Sequence, residues 1–184
     1  FSETLAAGRA QARIWLEQDH QGVACARRLS ALQDVLTMAI HDYVTTHVYP
    51  VENPSSGEQI AIAAIGGYGR GAMAPGSDVD LLFLLPYKQT AWGESVVEAM
   101  LYLMWDLKLK VGHATRNIDE CIRQAQADMT IRTSLLDARL LNDQTALFAQ
   151  FRKRFDQEVV RKSAREFVAA KLAEREKRAS RAGA

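Results

Sequence analysis

Two short apolar runs, Ile60 to Ile65 and Val79 to Leu85, set the limits on what this chain can fold into. The first ends at Gly66-Gly67 and the second at Pro86, so each has the length and the boundaries of a buried strand. Nearly everything around them is spaced for helices. Residues 3 to 18 carry Leu5, Ile14, Trp15 and Leu16 among helix formers. From Val23 to Val48, Leu29, Leu32, Val35, Leu36, Ala39, Ile40, Tyr43 and Val44 recur at three and four, which predicts a long helix with one apolar stripe. Pro50 and Glu52 to Gly57 then supply turn chemistry. Val96, Val97, Met100, Leu101, Met104 and Leu107 predict an amphipathic helix that packs on the strands, with Trp92 and Trp105 in its core face. Lys110 to Arg116 reads as a third strand, and residues 119–127, 130–136 and 145–158 as helices. The expected fold class is therefore α+β, a small mixed sheet flanked by helices with helical segments at both ends. The expected units are 1–50, a core at 58–142, and 143–184.

Composition narrows the function classes. The 184 residues are 48% hydrophobic and 24% charged, enough for a sizeable core, and the net charge of +1 gives no global pull toward nucleic acid or membrane. Residues 151–184 are locally basic, with eleven Lys and Arg against five acids, but without interleaved aromatics. Their Glu158/Lys162 and Glu174/Arg178 spacing suits a solvated helix face. No apolar run approaches the roughly 20 residues of a bilayer span. Cys25 and Cys121 lie far apart and outside any zinc spacing, so a reducing, cytoplasmic setting is expected. A start at Phe1 and a basic helical finish suggest a fragment of something longer.

The chemistry concentrates between the two apolar runs. On an extended strand alternate side chains share a face, so Asp78 and Asp80 project together, their Cα atoms about 6 to 7 Å apart. An acid pair on a strand of Val, Leu and Phe is costly near a core without a compensating cation, and Mg²⁺ accepts such oxygen ligands while leaving positions for phosphate. Gly66 and Gly67 allow a phosphate to approach the backbone ahead of a short helix, and Arg70 and Ser77 are further candidate phosphate contacts. A plain tight turn would also explain the glycines, and a turn or cap role would explain Asp78. Asp80 interrupts an apolar strand and resists that explanation. No Gly-Lys-Ser/Thr ending makes this a P-loop, and the acids come too early for a dinucleotide fingerprint.

An apolar strand, Gly-Gly, ten residues, then Asp-x-Asp in a second apolar strand resembles the nucleotidyltransferase fold of the DNA polymerase β type. More narrowly, Gly66 to Gly71, Pro75, Ser77 to Leu82, Leu103 to Leu107, Val111 to Arg116 and Asp128 to Leu141 resemble the N-terminal domain of the bacterial PII-protein uridylyltransferase/uridylyl-removing family. That resemblance implies Mg²⁺-dependent transfer of UMP from UTP to a tyrosine of the PII signalling protein, with HD and ACT portions absent from this chain. It implies neither a nucleic-acid nor a membrane partner. It assigns Asp78 and Asp80 to metal and catalysis, and Gly66, Gly67, Arg70 and Ser77 to nucleotide phosphate. The fold usually supplies a third carboxylate from a later strand, whereas Lys110 to Thr115 contains no acid; Asp106, Asp137 and His113 are the substitutes to examine. Transfer of AMP, and a nucleotide-binding regulatory module without turnover, are the alternative readings.

Overall fold

The computed structural model describes residues 1–51 and 55–182. Its centre is a four-stranded sheet made of β1 (Ala61–Ala64), β2 (Val79–Leu85), β3 (Val111–Asn117) and β4 (Arg139–Asn142), in the order β3-β2-β1-β4. β1 runs antiparallel to both β2 and β4, with Ala64 opposite Leu81 and Arg139. β2 and β3 are parallel, Asp80 opposite Gly112 and Leu81 opposite His113. Parallel neighbours need a crossover, and α4 (Ala91–Asp106) supplies it.

Helices cover both faces of the sheet, which is why β2 reads as an almost unbroken apolar run. On one face Ile62, Leu81 and Phe83 pack with Leu36 and Ile40 of α2 (Gly22–Tyr43) and Met100 and Met104 of α4. On the other, Ala63, Leu82 and Leu84 meet three helices: α5 (Ile118–Ala127), α6 (Met129–Leu136) and α7 (Leu147–Phe155). Each such buried Leu or Phe contributes roughly 1.5 to 3 kcal/mol. The mixed sheet between helical layers is the fold class expected from the pattern.

Local chemistry starts and stops these helices. Thr90 accepts the Gly93 N–H to open α4, and Asn117 and Glu120 form a reciprocal capping box at α5. Asp128 caps α6 through the Thr130 and Ile131 N–H groups, which hold its carboxyl below the usual carboxylate range. Arg132, buried in α6 and without an acidic partner among the described residues, donates to the Ala125 and Gln126 carbonyls at the end of α5 and to Ser163 Oγ. A cation at a helix C-terminus is favourably placed against the helix dipole.

Several expectations need correction. Val35 and Tyr43 face solvent, because the buried line of α2 runs through Leu36, Ile40 and Val44, about 100° away around the helix from Val35. The helix from Val23 to Val48 ends as α-helix at Tyr43 and closes with a π turn over Val44–Val48. Trp105 is 43% exposed, edge-on to Tyr102, and Trp92 is half-buried with its indole N–H donated to Tyr49 O. The helix expected at 145–158 begins only at Leu147: Asp143 accepts the Thr145 and Phe148 N–H groups, and Ala146 takes a left-handed φ of 58°. Glu158 pairs with Arg154 at 2.6 Å, while Glu174 does meet Arg178 at 3.8 Å. β4 was not expected at all. Before it come α1 (Ser2–Asp19) and α3 (Gly66–Gly69), and after it α8 (Arg161–Ala182). The turn residues Glu52, Asn53 and Pro54, and the terminal Gly183 and Ala184, lie outside the described residues.

Candidate active site

Asp80 sits on β2 in a notch made by missing side chains. A Cβ on Gly112, its partner across the parallel pair, would stand 2.5 Å from Asp80 Oδ1, and a Cβ on Gly66 would stand 3.1 Å from Oδ2. Gly66 also has a φ of 57°, in the left-handed region that favours glycine. Both glycines therefore make room for one carboxylate, and the Ile65 N–H to Asp80 O bond of 3.0 Å ties the start of α3 to it. The same Gly66 position lies 3.3 Å from Ser134 Oγ on α6, so a hydroxyl flanks the notch.

Asp78, one residue before β2, is exposed. Burial first, and the Asp78 charge second, raise the Asp80 carboxyl above its ordinary value. A part-buried carboxylate with a second acid two residues away is an oxygen donor set that suits a hard cation. No cluster of three His, Cys, Asp or Glu side chains occurs among the described residues. The position opposite Asp80 on β3 belongs to Gly112, and that strand contributes no acid there.

The glycine turn is held from behind. Gly69 lies against the Asp137 carbonyl so closely that no side chain fits there. Arg139, at the start of β4, grips Asp34 of α2 through two nitrogens at 2.8 and 3.0 Å and donates to the Gly69 and Tyr68 carbonyls. Its guanidinium lies 5.6 Å from the centre of the Tyr68 ring. The N-terminal helices are thereby fastened to the turn beside Asp80.

The remaining sequence candidates separate. Arg70 is paired with Asp137 at 2.6 Å, and its Nη2 is 3.5 Å from the Cβ position of Gly67, which places it at the mouth of the turn. Ser77 is exposed in a turn closed by its N–H to Ala74 O. His113 stands in register with Leu81, and alternation turns it to the sheet face away from Asp80. Asp106 ends α4, the helix on that same far face, and is exposed. Asp137 faces Arg70 rather than standing free. Gly112, Ser134 and Arg139 had no assigned role from sequence. A glycine inside a strand was a readable sign of close approach, whereas Ser134 carried none.

With that geometry established, likeness to known proteins is informative. Residues 52–141 match the family model described as Nucleotidyltransferase domain. Over 179 residues, 97% of the chain, it is 56% identical to a bifunctional uridylyltransferase/uridylyl-removing enzyme of Rhodopseudomonas palustris and 55% identical to one of Bradyrhizobium sp.. The chain spans 19% of the length of each of these curated relatives. Domains of this family typically use a divalent metal. The notch at Asp80 thus lies within a nucleotidyltransferase domain, residues 52–141, and the chain is similar to the N-terminal part of the uridylyltransferase/uridylyl-removing enzymes.

Proposed function

We propose that this chain transfers UMP from UTP to a tyrosine hydroxyl of the PII signalling protein in the cytoplasm, releasing pyrophosphate. The observation that carries the reading is the Asp80 carboxylate, lodged between Gly66 and Gly112 at the start of the glycine turn with Asp78 beside it. Asp78 and Asp80 would hold Mg²⁺, and their oxygen-only donor set fits it. Bound Mg²⁺ supplies neutralisation of triphosphate charge and lowers the cost of ionising a hydroxyl. The chain's own groups do the rest. The first N–H groups of α3 have no acceptor within the helix and are available to phosphate oxygens at Gly66 and Gly67. Arg70, held at the mouth by Asp137, presents a cationic fork there, and Ser77 offers a hydroxyl ahead of Asp78. The Arg139 clamp keeps the turn fixed while charge moves, so little reorganisation is needed in the transition state.

No helix of the described residues is long and apolar enough to cross a membrane, and both cysteines are buried free thiols, which supports a reducing compartment. The glycine at position 112, where a third acid would face Asp80, favours one second reading: nucleotide binding without turnover. Incubation with UTP, Mg²⁺ and PII tests both. The proposal expects pyrophosphate release and a uridylyl group on a PII tyrosine by peptide mass mapping. UTP binding without either product supports the second reading, and modification by ATP alone would make the chain an adenylyltransferase.

A further inference from the structure

A cavity of about 520 Å³ opens away from Asp80, between α1, α2, the 73–79 loop and the turn that follows α4. Its size is that of a small-molecule site, roughly 300 to 1,000 Å³. Leu29, Leu32, Met73, Val79 and Leu109 make an apolar floor. Arg9 and Arg13 of α1 stand on one rim and Lys108 and Lys110 on the other, and among the described residues no acid lines the space. Arg13 is paired with Glu17 at 2.8 Å; Arg9, Lys108 and Lys110 have no carboxylate partner among the described residues.

Two further observations point to an occupant. Gln33, only 4% exposed, lines the cavity; its amide nitrogen donates to Thr37 Oγ1 at 3.3 Å, while its carbonyl oxygen accepts no hydrogen bond from a described residue. Lys108 has a φ of 60°. It occupies the left-handed position of a Schellman ending, with its N–H on Trp105 O and the Leu109 N–H on Met104 O. Glycine ordinarily takes that place because a Cβ there is strained. A lysine at a strained position, with its side chain on a cavity rim, is a reason to look for a ligand.

We propose that this cavity binds a small anionic molecule with an apolar body: the body on the Leu29–Leu109 floor beside Gln33, the carboxylate or phosphate against Lys108, Lys110 and Arg9. Ser77 and Val79, which flank Asp78, both line the space, so an occupant touches the residues on either side of that carboxylate. Apart from Ser77, none of the lining residues is among those proposed for UTP, and the proposal does not depend on that assignment.

The test is fluorescence titration of the full chain with anilinonaphthalene sulfonate, an apolar anion, followed by competition with decyl phosphate, decanoate and decyltrimethylammonium below their micellar concentrations. Lys108→Gly restores the residue the turn prefers, and Lys110→Glu alters an exposed side chain, so the double variant keeps its fold, checked by melting. The proposal expects saturable binding weakened at least tenfold in the double variant, displacement by the decyl anions and not by the cation, and no displacement by UTP with Mg²⁺. Whichever decyl anion competes better identifies the head group. Affinity within twofold of the parent in the double variant, equal displacement by the decyl cation, or displacement by UTP would each overturn it. Absence of binding by all three anions would overturn it as well and would leave the cavity to a protein segment.

Discussion

Gly112→Ala separates the position of Asp80 from the stability of the fold. The new methyl would begin 2.5 Å from Asp80 Oδ1 and 3.7 Å from its carboxyl carbon, with no other heavy atom of the described residues within 4 Å beyond its own chain neighbours. An ordinary contact starts near 3.4 Å. The carboxylate oxygen must therefore retreat by about 0.9 Å, which a rotation about the Asp80 side chain provides at a cost of roughly 0.5 to 1.5 kcal/mol. Replacing a strand glycine returns about 0.4 to 1 kcal/mol by restricting the unfolded chain. The two nearly cancel, so the melting temperature should move by only a few degrees. Reacting groups are less forgiving: a misplacement of about 1 Å can cost on the order of 100-fold in rate. The assay is uridylyl transfer to PII at saturating UTP, beside thermal melting of the apo chain. Parental turnover in a folded Gly112→Ala chain would refute the claim that the notch positions Asp80 for chemistry. Gly69→Ala is the control, because its Cβ would meet the Asp137 and Ala64 carbonyls, which cannot rotate aside, and it should destabilise the fold outright.

Other perturbations follow from the same structure. Because burial and Asp78 raise the Asp80 carboxyl in the folded chain, apo stability should increase as pH falls from that raised value toward the ordinary carboxylate range; Asp80→Asn should raise the apo melting temperature at neutral pH and flatten this dependence. Arg139→Lys keeps the charge but not the fork, and should cost roughly 1 to 3 kcal/mol in denaturant melts, with Asp34→Asn losing stability through the same pair. Burial pushes the Cys121 thiol up to about 12, so a thiol reagent should leave it unmodified until the chain unfolds.

Much of this arrangement was legible in the sequence because the acid and the glycines contradict their local pattern. Asp80 breaks an apolar strand, Gly66-Gly67 closes another, and the structure brings Gly66 and Asp80 into contact. β4 was not legible: Arg139-Leu140-Leu141-Asn142 is four residues long, carries no turn-bounded alternation, and is a strand only because the edge of β1 was open to it. His113 was misplaced for a different reason. A shift of one residue in register changes the sheet face, and the pairing of His113 with Leu81 is made across the α4 crossover, out of reach of the sequence around His113. Ser134 and Arg139 act across long separations, and nothing in their own neighbourhoods announces it. Trp105 looked like core by type, yet it lies on the outer side of α4, away from the Met100 and Met104 line.

The central claim is that Asp80 joins metal and nucleotide in one site. It is tested most directly by melting the parent and Asp80→Asn with UTP alone, Mg²⁺ alone, and both together. A ligand that binds only the folded state raises the melting temperature in proportion to its affinity. The account predicts that the two together stabilise the parent by more than their separate effects, and that this excess disappears in Asp80→Asn although its apo form melts as high or higher. An undiminished excess in Asp80→Asn would contradict it.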